Sequence, residues 1–337
     1  NSYVGKELIE LSQGRNKIEI SCTNADQNES YRAVVYADYT HKATGDLYFL
    51  AFGISEYQNP GLNLQFAHKD ALDLEKTMKG LKGFNQIHTK VFTNSEVTTE
   101  KIANAKEFLA NAKVDDTFVL FIAGHGMYDR KGEPEYYYLT YHADTTNLAQ
   151  TATRFELIED LLQGIPPRNK IFLMDACESG EIDDEEYKTL AGIENLSLQE
   201  TSFRGFKSTN TSASLSAQSS SLSGAETNRA ETNRTQIYER NRYIFNDLSR
   251  RSGAIVFSSS RGSEASQERK DLKQGLFTHF ILKAITTTEA DTDKNGTVST
   301  DELRNYVSAE VAKASGDLQH PTVDRDNIYQ KFGFGVK

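Results

Sequence analysis

The sequence is poor in cysteine and contains no long apolar run. A membrane-spanning helix needs about 20 consecutive apolar residues, so we expect no membrane partner. The two cysteines, Cys22 and Cys177, can form at most one disulfide, and a chain of 337 residues can bury a core without one. We therefore predict free thiols in a reducing compartment, which favours a cytoplasmic location.

The chain also lacks an excess of basic residues. It has 38 Lys and Arg against 48 Asp and Glu, which gives a net charge of −10. Nucleic-acid binding requires clustered Lys and Arg to neutralise phosphates, so this balance argues against a nucleic-acid partner. It suits a protein that holds cations, either metal ions or basic substrate side chains. The alternative is that most of these charges only keep the protein soluble.

No secretory signal is visible at the start of the sequence. The chain begins with Asn1, and no basic segment followed by an apolar one is present. We expect a piece of a longer protein or a processed product. Residues 1–45 predict an N-terminal β segment, because apolar and polar residues alternate in 16–22 and in 31–39. Two strands are marginal alone, so this hairpin is expected to complete an upstream domain or to pack on the main domain.

From residue 47 onward, short apolar runs alternate with helical spacing. The pattern predicts strands at 47–54, 87–92, 118–123, 170–175, 254–258 and 328–332, and helices at 64–78, 98–112, 155–162, 276–285 and 300–313. Such a βαβ series implies an α/β fold with a mostly parallel sheet and helices on both faces.

A segment of different composition interrupts this series. Residues 208–235 are mostly Ser, Thr, Ala, Asn, Glu and Arg, and Ala-Glu-Thr-Asn-Arg occurs twice in tandem at 225–234. This composition cannot bury enough apolar surface to offset its ordering entropy, so it predicts a flexible linker. A loop of that length inside a compact domain is usually functional.

Two predicted strands lead directly into residues whose side chains can take part in catalysis. The strand at 118–123 leads into Gly124-His125-Gly126, and the strand at 170–174 leads into Asp175-Ala176-Cys177. Ligands of parallel sheets bind beyond the carboxyl ends of the strands. There His125 can act as the base that activates the Cys177 thiol, while a backbone N–H at Gly126 can bind an oxyanion. The alternative is a small buried cysteine and a histidine that only occupies a turn.

Five segments together resemble the caspase-like clan of cysteine proteases, in its metacaspase, paracaspase and bacterial caspase-homologue branch. They are residues 51–54 (AFGI), 67–71 (AHKDA), 121–126 (FIAGHG), 175–180 (DACESG) and 275–278 (GLFT). The resemblance covers residue 47 to near the C-terminus, without the linker.

The resemblance implies a caspase-like sandwich with a six-stranded sheet. It divides the catalytic part into a large-subunit-like half at 46–205, a Ser-rich linker at 206–240 and a small-subunit-like half at 241–337. By the same resemblance, His125 is the base, Cys177 is the nucleophile, and Gly126 and Cys177 offer oxyanion N–H groups. No third carboxylate is required.

We expect the charge of the substrate pocket to determine which residue type is accepted at the cleaved position. Caspases that cleave after aspartate carry Gln two residues before the nucleophile, whereas this chain has Asp175 there. Asp70 matches a second position that is acidic in the Arg/Lys-specific branch, and two carboxylates favour a bound cation. The alternative for Asp70 is an exposed helix residue. Residues 258–261, including Ser259, resemble the edge strand that pairs with the substrate backbone.

Residues 291–302 match the loop of an EF-hand. The pattern places oxygen-bearing side chains at the ligand positions and glycine at position six. The candidate calcium ligands are Asp291, Asp293, Asn295, Thr297, Ser299 and Glu302. The alternative is a loop whose side chains cap the next helix. The acidic run at 181–186 is interpreted as a solvated loop. No cofactor is required for the chemistry, and calcium is the candidate ion.

The expected function is a cysteine endopeptidase that cuts protein or peptide substrates after Arg or Lys and processes its own linker. An upstream domain or an activating partner is also expected. The candidate self-cleavage residues are Arg229, Arg234, Arg240 and Arg242. Two further basic residues, Arg204 and Lys207, come just before the Ser-rich segment 208–235. Three alternatives remain: a linker that is never cut, a catalytically idle caspase fold that serves as an interaction module, and a clostripain-like or separase-like hydrolase of the same clan.

Overall fold

Strands and helices alternate along the chain in the computed structural model. The strands are β1 (Gly14–Ile20), β2 (Ala33–Tyr39), β3 (Leu47–Gly53), β4 (Ile87–Thr93), β5 (Thr117–Gly124), β6 (Gly126–Asp129), β7 (Glu135–Tyr138), β8 (Thr153–Arg154), β9 (Asn169–Ala176), β10 (Glu181–Ile182), β11 (Thr201–Phe203), β12 (Phe206–Lys207), β13 (Ile255–Ser258), β14 (Gln267–Arg269), β15 (Gln274–Gly275), β16 (Thr297–Ser299), β17 (Thr322–Asp324) and β18 (Gly333–Gly335). The helices are α1 (Ala67–Lys79), α2 (Thr99–Asn104), α3 (Leu148–Thr151), α4 (Phe155–Asp160), α5 (Leu276–Thr286) and α6 (Thr300–Ala314). Residues 248–252 are also helical.

The structure describes most of the two predicted halves and little of the linker. The described residues are 4–40, 44–129, 135–176, 181–182, 201–203, 206–207, 248–261, 264–327, 330 and 332–336. The nucleophile candidate Cys177 and the self-cleavage candidates Arg229, Arg234, Arg240 and Arg242 lie outside these residues.

A six-stranded sheet forms the centre of the fold. Its strand order is β17-β13-β9-β5-β3-β4. The pairs from β13 to β4 are parallel, and only β17 is antiparallel to its neighbour. This mostly parallel sheet confirms the α/β fold that the alternating pattern predicts.

Both faces of the sheet are covered, so its central strands are apolar along their whole length. All seven residues of β3 and all eight of β5 are buried. On one face, the core includes residues of α1, α5 and α6. On the other face, it includes residues of α2, α4 and β7. A strand that is covered on both sides reads as a continuous apolar run, which is why these strands are visible in the sequence.

The sequence pattern fails at the short strands near the C-terminus. It predicts a last strand at 328–332, of which only 330 and 332 are described. The sixth core strand is instead β17, and the final strand, β18, pairs with β16 outside the central sheet. Both strands have three residues, too few to show an alternating pattern.

The predicted N-terminal hairpin is present as β1 paired with β2. It contacts the main domain: Lys17 forms an ion pair with Asp326, and the Gln13 N–H donates to Asp115 at 2.9 Å. In the described part of the chain, no helix is long and apolar enough to span a bilayer.

Three of the small sheets outside the central one lie near the site described below. β6, β7 and β8 form an antiparallel sheet directly after β5. β14 lies between β11 and β15 in a second sheet, and β10 pairs with β12 in a third. The second sheet pairs β11, which precedes the Ser-rich segment 208–235, with β14, which follows it.

Candidate active site

The carboxyl ends of β5 and β9 lie side by side. The two strands pair in parallel, with Ala123 opposite Asp175 and Gly124 opposite Ala176. His125 follows β5 directly, and Cys177 is the next residue after β9. The predicted convergence of these two strand ends is therefore present, although the side chain of Cys177 lies outside the described residues.

Gly124 allows the chain to turn from β5 towards His125. Its φ of +154° is rarely adopted by residues with a side chain, and a Cβ there would lie 3.0 Å from the Tyr57 hydroxyl and 3.3 Å from the Tyr138 ring. Tyr138 is fully buried, and its hydroxyl donates to the Ala123 carbonyl at 3.0 Å. The two tyrosines thus fix the backbone that presents His125.

Two hydrogen bonds hold His125, one at its backbone N–H and one at its ring. It is 4% exposed, and its backbone N–H donates to the Tyr57 hydroxyl at 3.0 Å. Its Nε2 lies 2.8 Å from the Leu62 carbonyl oxygen. Because a carbonyl can only accept a hydrogen bond, Nε2 carries the proton, and Nδ1 is the basic nitrogen of the neutral ring. The carbonyl thus has the orienting role that a carboxylate has in a catalytic triad.

The sequence contains no signal for these supports. Leu62 acts through its backbone, and Tyr57 follows a strand end without a recognisable motif. Both belong to the segment between β3 and α1, in which no residue pattern indicates a contact with His125.

The pairing of β6 with β7 orients the predicted oxyanion donor at Gly126. The Leu139 N–H donates to the His125 carbonyl at 2.9 Å, and Gly126 lies opposite Tyr138. Bonded and non-bonded pairs alternate along antiparallel strands. By this alternation, the Gly126 N–H is directed away from β7, as an oxyanion donor requires.

Asp175 is a fully buried carboxylate at the end of β9. Its Oδ1 accepts from the Ser266 hydroxyl at 2.7 Å, and its Oδ2 accepts from the Thr278 hydroxyl at 2.6 Å. A buried charge is costly unless it is hydrogen-bonded. The two hydroxyls therefore satisfy a carboxyl group at a position where an apolar residue would be cheaper to bury, which favours a functional role for Asp175.

Asp70 is fully buried as well, which excludes the exposed alternative. The Gly275 N–H donates to both of its oxygens, at 3.2 and 3.0 Å. A third buried carboxyl group, that of Glu268, has no signal in the sequence; its oxygens accept the Gln65 and Phe66 N–H groups at 2.8 and 3.0 Å. Glu268 pairs with Gly275 across β14 and β15, so Glu268 and Asp70 meet around the same short turn.

The backbone of Ser259, which was expected to pair with a substrate, already has partners within the protein. The Ser259 N–H donates to the Met174 carbonyl at 2.9 Å, and its carbonyl accepts from Gln319 Nε2 at 2.8 Å. With both backbone groups engaged inside the core, Ser259 cannot pair with a substrate strand. The short strand β14 lies eight residues further on, where Ser-Gln-Glu-Arg gives no apolar signal.

Several buried polar atoms in this region have no hydrogen-bond partner among the residues that the structure describes. They include the Ser259 hydroxyl, both amide atoms of Gln267 and Nδ1 of His68. Each such atom costs about 1–3 kcal/mol relative to a satisfied one. Unpaired polar groups in a native protein call for an explanation, and a bound ligand or water is a common one. Their position favours a binding site beside Asp70 and Asp175.

The predicted calcium loop brings three carboxylates together. One oxygen from each of Asp291, Asp293 and Glu302 lies within 4.8 Å of the others. Asn295 Oδ1 accepts the Thr297 N–H at 2.8 Å instead of facing this cluster. Carboxylate and amide oxygens are the ligands that calcium prefers, so the three carboxylates fit the ion and Asn295 would have to turn.

The capping alternative for this loop is also realised. Ser299 and Glu302 form a capping box at the start of α6, and Thr292 donates to Glu302 Oε1 through both its N–H and its hydroxyl at 2.8 Å. Burial raises the pKa of the Glu302 carboxyl, but hydrogen bonds from Ser299, Thr292 and Asp293 outweigh it and lower the pKa to about 2. Glu302 is therefore ionised at neutral pH, as both capping and calcium binding require.

The fold and this edge together define an α/β protein with a supported histidine and buried carboxylates at the carboxyl ends of its strands. A family model described as the caspase domain of the C14 peptidases matches residues 48–332. The chain therefore belongs to the caspase-domain peptidase family, which confirms the resemblance noted in the sequence and supports a caspase-like protease in general terms.

Two solved structures are similar to this chain, one from Geobacter sulfurreducens and one from Spodoptera frugiperda. A structural-genomics target from Geobacter sulfurreducens has 12% identity and a TM-score of 0.49, covering 84% of this chain and 94% of that one. Caspase-1 from Spodoptera frugiperda has 14% identity and a TM-score of 0.46, covering 83% and 88%. No curated protein sequence matches this chain.

A histidine with two carboxylate partners ties the loop after β13 to the segment before β17. His320 Nδ1 lies 2.8 Å from Glu264 Oε1, and its Nε2 lies 2.9 Å from Asp317 Oδ1. Burial lowers the pKa of His320, but these hydrogen bonds outweigh it and raise the pKa above its usual value, against a smaller opposing effect of Arg261.

The first prediction concerns this histidine. A raised pKa means that the protonated ring stabilises the folded state below about pH 6.5, and that this contribution is lost as pH rises through the folded pKa. His320→Gln should therefore lower the melting temperature more at pH 5.5 than at pH 8.5. The control is His142→Gln, whose ring contacts the Gln58 amide rather than a carboxylate. Equal effects of His320→Gln at both pH values would contradict the assignment.

Proposed function

We propose that the protein is a cysteine endopeptidase with a Cys177–His125 dyad that cleaves after Arg or Lys. The observation that carries the proposal is the adjacency of the β5 and β9 carboxyl ends, which brings the supported His125 next to the residue preceding Cys177. Membership in a peptidase family supports the reaction type.

The hydrogen bond between His125 and the Leu62 carbonyl suggests how the dyad works. With Nε2 bonded to Leu62, Nδ1 of His125 takes the proton of the Cys177 thiol. The thiolate attacks the carbonyl carbon of the scissile bond, and the oxyanion is bound by the N–H groups of Gly126 and Cys177. His125 then gives its proton to the leaving amine, and water hydrolyses the thioester.

The second prediction tests the dyad. Cys177→Ala and His125→Ala should each lower kcat/KM on an Arg-containing peptide by several powers of ten, because each removes a group that acts in the reaction. Cys22→Ala serves as control, since that thiol is exposed and lies on the N-terminal segment. Full activity in Cys177→Ala would refute the dyad. A wild type that cuts no peptide would favour the idle interaction module instead.

The preference for basic residues rests on three buried carboxylates. Asp70, Asp175 and Glu268 come from α1, the end of β9 and β14, and meet around the β15–α5 turn. Placing a substrate carboxylate among them would leave like charges unpaired in a water-poor site, whereas a guanidinium can bind two oxygens at once.

The third prediction concerns this preference. Peptides with Arg or Lys at the cleaved position should be cut, and matched peptides with Asp should not. Asp175→Asn should lower the ratio of kcat/KM for Arg over norleucine by roughly tenfold or more. The control is Asp116→Asn, a buried aspartate that caps backbone N–H groups before β5; it should change stability but not this ratio. Efficient cleavage after Asp would overturn the pocket.

We also propose that the 291–302 loop binds calcium, because three of its carboxylates lie within reach of one ion. Asp291, Asp293 and Glu302 would hold it, and the ion would stabilise the start of α6. The fourth prediction is a rise in melting temperature with millimolar calcium that Glu302→Gln removes and Glu310→Gln, on the same helix, leaves intact. Loss of stability in Glu302→Gln without any calcium effect would leave only the capping role.

A further inference from the structure

A cleft lies between the N-terminal hairpin and the end of the central sheet at which the parallel strands begin. Its walls come from β1 and the residues just before it, from the start of β9, from residues 250–253 ahead of β13, and from residues 326–327 after β17. Its volume is about 630 Å³, which is within the range of roughly 300–1,000 Å³ that small-molecule sites have. The cleft is therefore large enough to hold a small ligand.

This cleft is separate from the candidate active site. Arg168, which lines the cleft, precedes β9, whereas Asp175 lies near the carboxyl end of the same strand. At about 3.3 Å per residue, the two positions are roughly 23 Å apart. A ligand in the cleft would therefore bind independently of the chemistry at His125.

The charged residues that line the cleft are mainly basic, although the protein as a whole is acidic. They comprise seven Lys and Arg against three Asp and Glu, whereas the whole chain has a net charge of −10. The cavity thus has a formal excess of four positive charges. We call it the basic cleft.

Only two of these cations are balanced by acids of the cleft. Lys17 pairs with Asp326 and lies 3.0 Å from Glu19, and Arg32 lies 3.2 Å from Glu19. The third acid, Glu10, forms no ion pair with any residue that the structure describes. The other five cations of the cleft therefore have one carboxylate among its lining residues.

Arg168 and Arg250 are the arginines best placed for a ligand. Both are exposed, and neither forms an ion pair with a residue in the described ranges. The backbone of Arg168 is fixed, because its N–H donates to the Val114 carbonyl at 3.0 Å and its carbonyl accepts from Gln330 Nε2 at 2.6 Å. A guanidinium group on a fixed backbone presents its donors in a fork that fits a phosphate group.

Lys170 adds a buried positive charge beside these arginines. It is 4% exposed, and its Nζ donates to the Leu162 carbonyl at 3.1 Å without a carboxylate partner in the described part of the chain. Burial and, to a smaller extent, the charge of Arg168 lower the pKa of Lys170 to about 8. A buried charge is costly unless it is paired. An anion in the basic cleft would offset part of this cost.

We propose that the basic cleft binds a small molecule with two or three phosphate groups, which Arg168 and Arg250 contact directly and Lys170 attracts by its charge. A phosphate group carries up to about two negative charges at neutral pH, so two or three of them match the excess of four positive charges. A carboxylate carries one charge, and a small dicarboxylate would leave half of the excess unbalanced. The density of positive charge therefore favours phosphates.

Such a ligand would connect two parts of the protein. Arg15 belongs to β1 of the hairpin, whereas Arg168 and Arg250 belong to the segments that lead into β9 and β13. These two strands are neighbours in the central sheet, with Ile255 opposite Ile171. A bound phosphate compound would add a charged contact to the Lys17–Asp326 ion pair that already joins the hairpin to the main domain.

The fifth prediction tests the site by isothermal titration calorimetry of the full chain with inorganic triphosphate. The buffer is free of calcium, because triphosphate chelates the ion that the 291–302 loop is proposed to bind. We expect one site whose Kd rises with salt concentration. Arg168→Ala and Arg250→Ala should each raise the Kd by roughly tenfold or more, because each removes charged hydrogen bonds to the ligand.

Two further variants serve as controls for charge and geometry. Arg304→Ala removes the same charge from α6, where Arg304 lies 3.7 Å from Asp301, and it should leave the Kd unchanged. Arg168→Lys keeps the charge but not the fork, so its Kd should fall between those of the wild type and Arg168→Ala.

Hydrogen exchange gives an independent readout of where triphosphate binds. The probe should slow amide exchange in residues 14–20 and 168–171, which line or adjoin the cleft, and leave α6 unchanged. Protection confined to other segments would overturn the assignment.

The remaining outcomes decide between the cleft and its alternatives. An equal loss of affinity in Arg304→Ala would mean that only the overall charge attracts the probe, and it would overturn the site. A tetraglutamate peptide that binds as tightly as triphosphate would overturn the choice of phosphate. Absence of both heat and a thermal shift at millimolar triphosphate would overturn the inference as a whole. None of these results depends on peptide cleavage, so the proposed function is tested separately.

Discussion

The parallel pairing of β5 with β9 is the contact on which the candidate site depends. Because the pairing runs without a bulge from Thr117 to Gly124, both strands end at the same level of the sheet. A shift of one residue would reverse the faces of all later side chains. The burial of both strands on both faces makes that shift costly. The hydrophobic core thereby fixes the relative position of His125 and the residue that precedes Cys177.

At the same edge of the sheet, three carboxyl groups are buried, and their burial costs electrostatic free energy. Asp70, Asp175 and Glu268 are fully buried, and burying carboxyl groups costs free energy unless hydrogen-bond donors surround them. The backbone and hydroxyl donors around them, among them the Gly275 N–H and the Thr278 hydroxyl, offset part of this cost. A bound cation would offset more of it. Such a cluster is thus better explained by ligand recognition than by stability.

The features that depend on long buried strands can be predicted from the sequence. The features that depend on backbone groups or on strands of three residues cannot. His125 and Asp175 are predictable because each stands at the end of a continuous apolar run. The Leu62 carbonyl has no side-chain signal, and Glu268 looks like an ordinary exposed glutamate until β14 is seen to be buried. β11, β14 and β17 have three residues each, too few for periodicity, so none of these strands is visible as a pattern in the sequence.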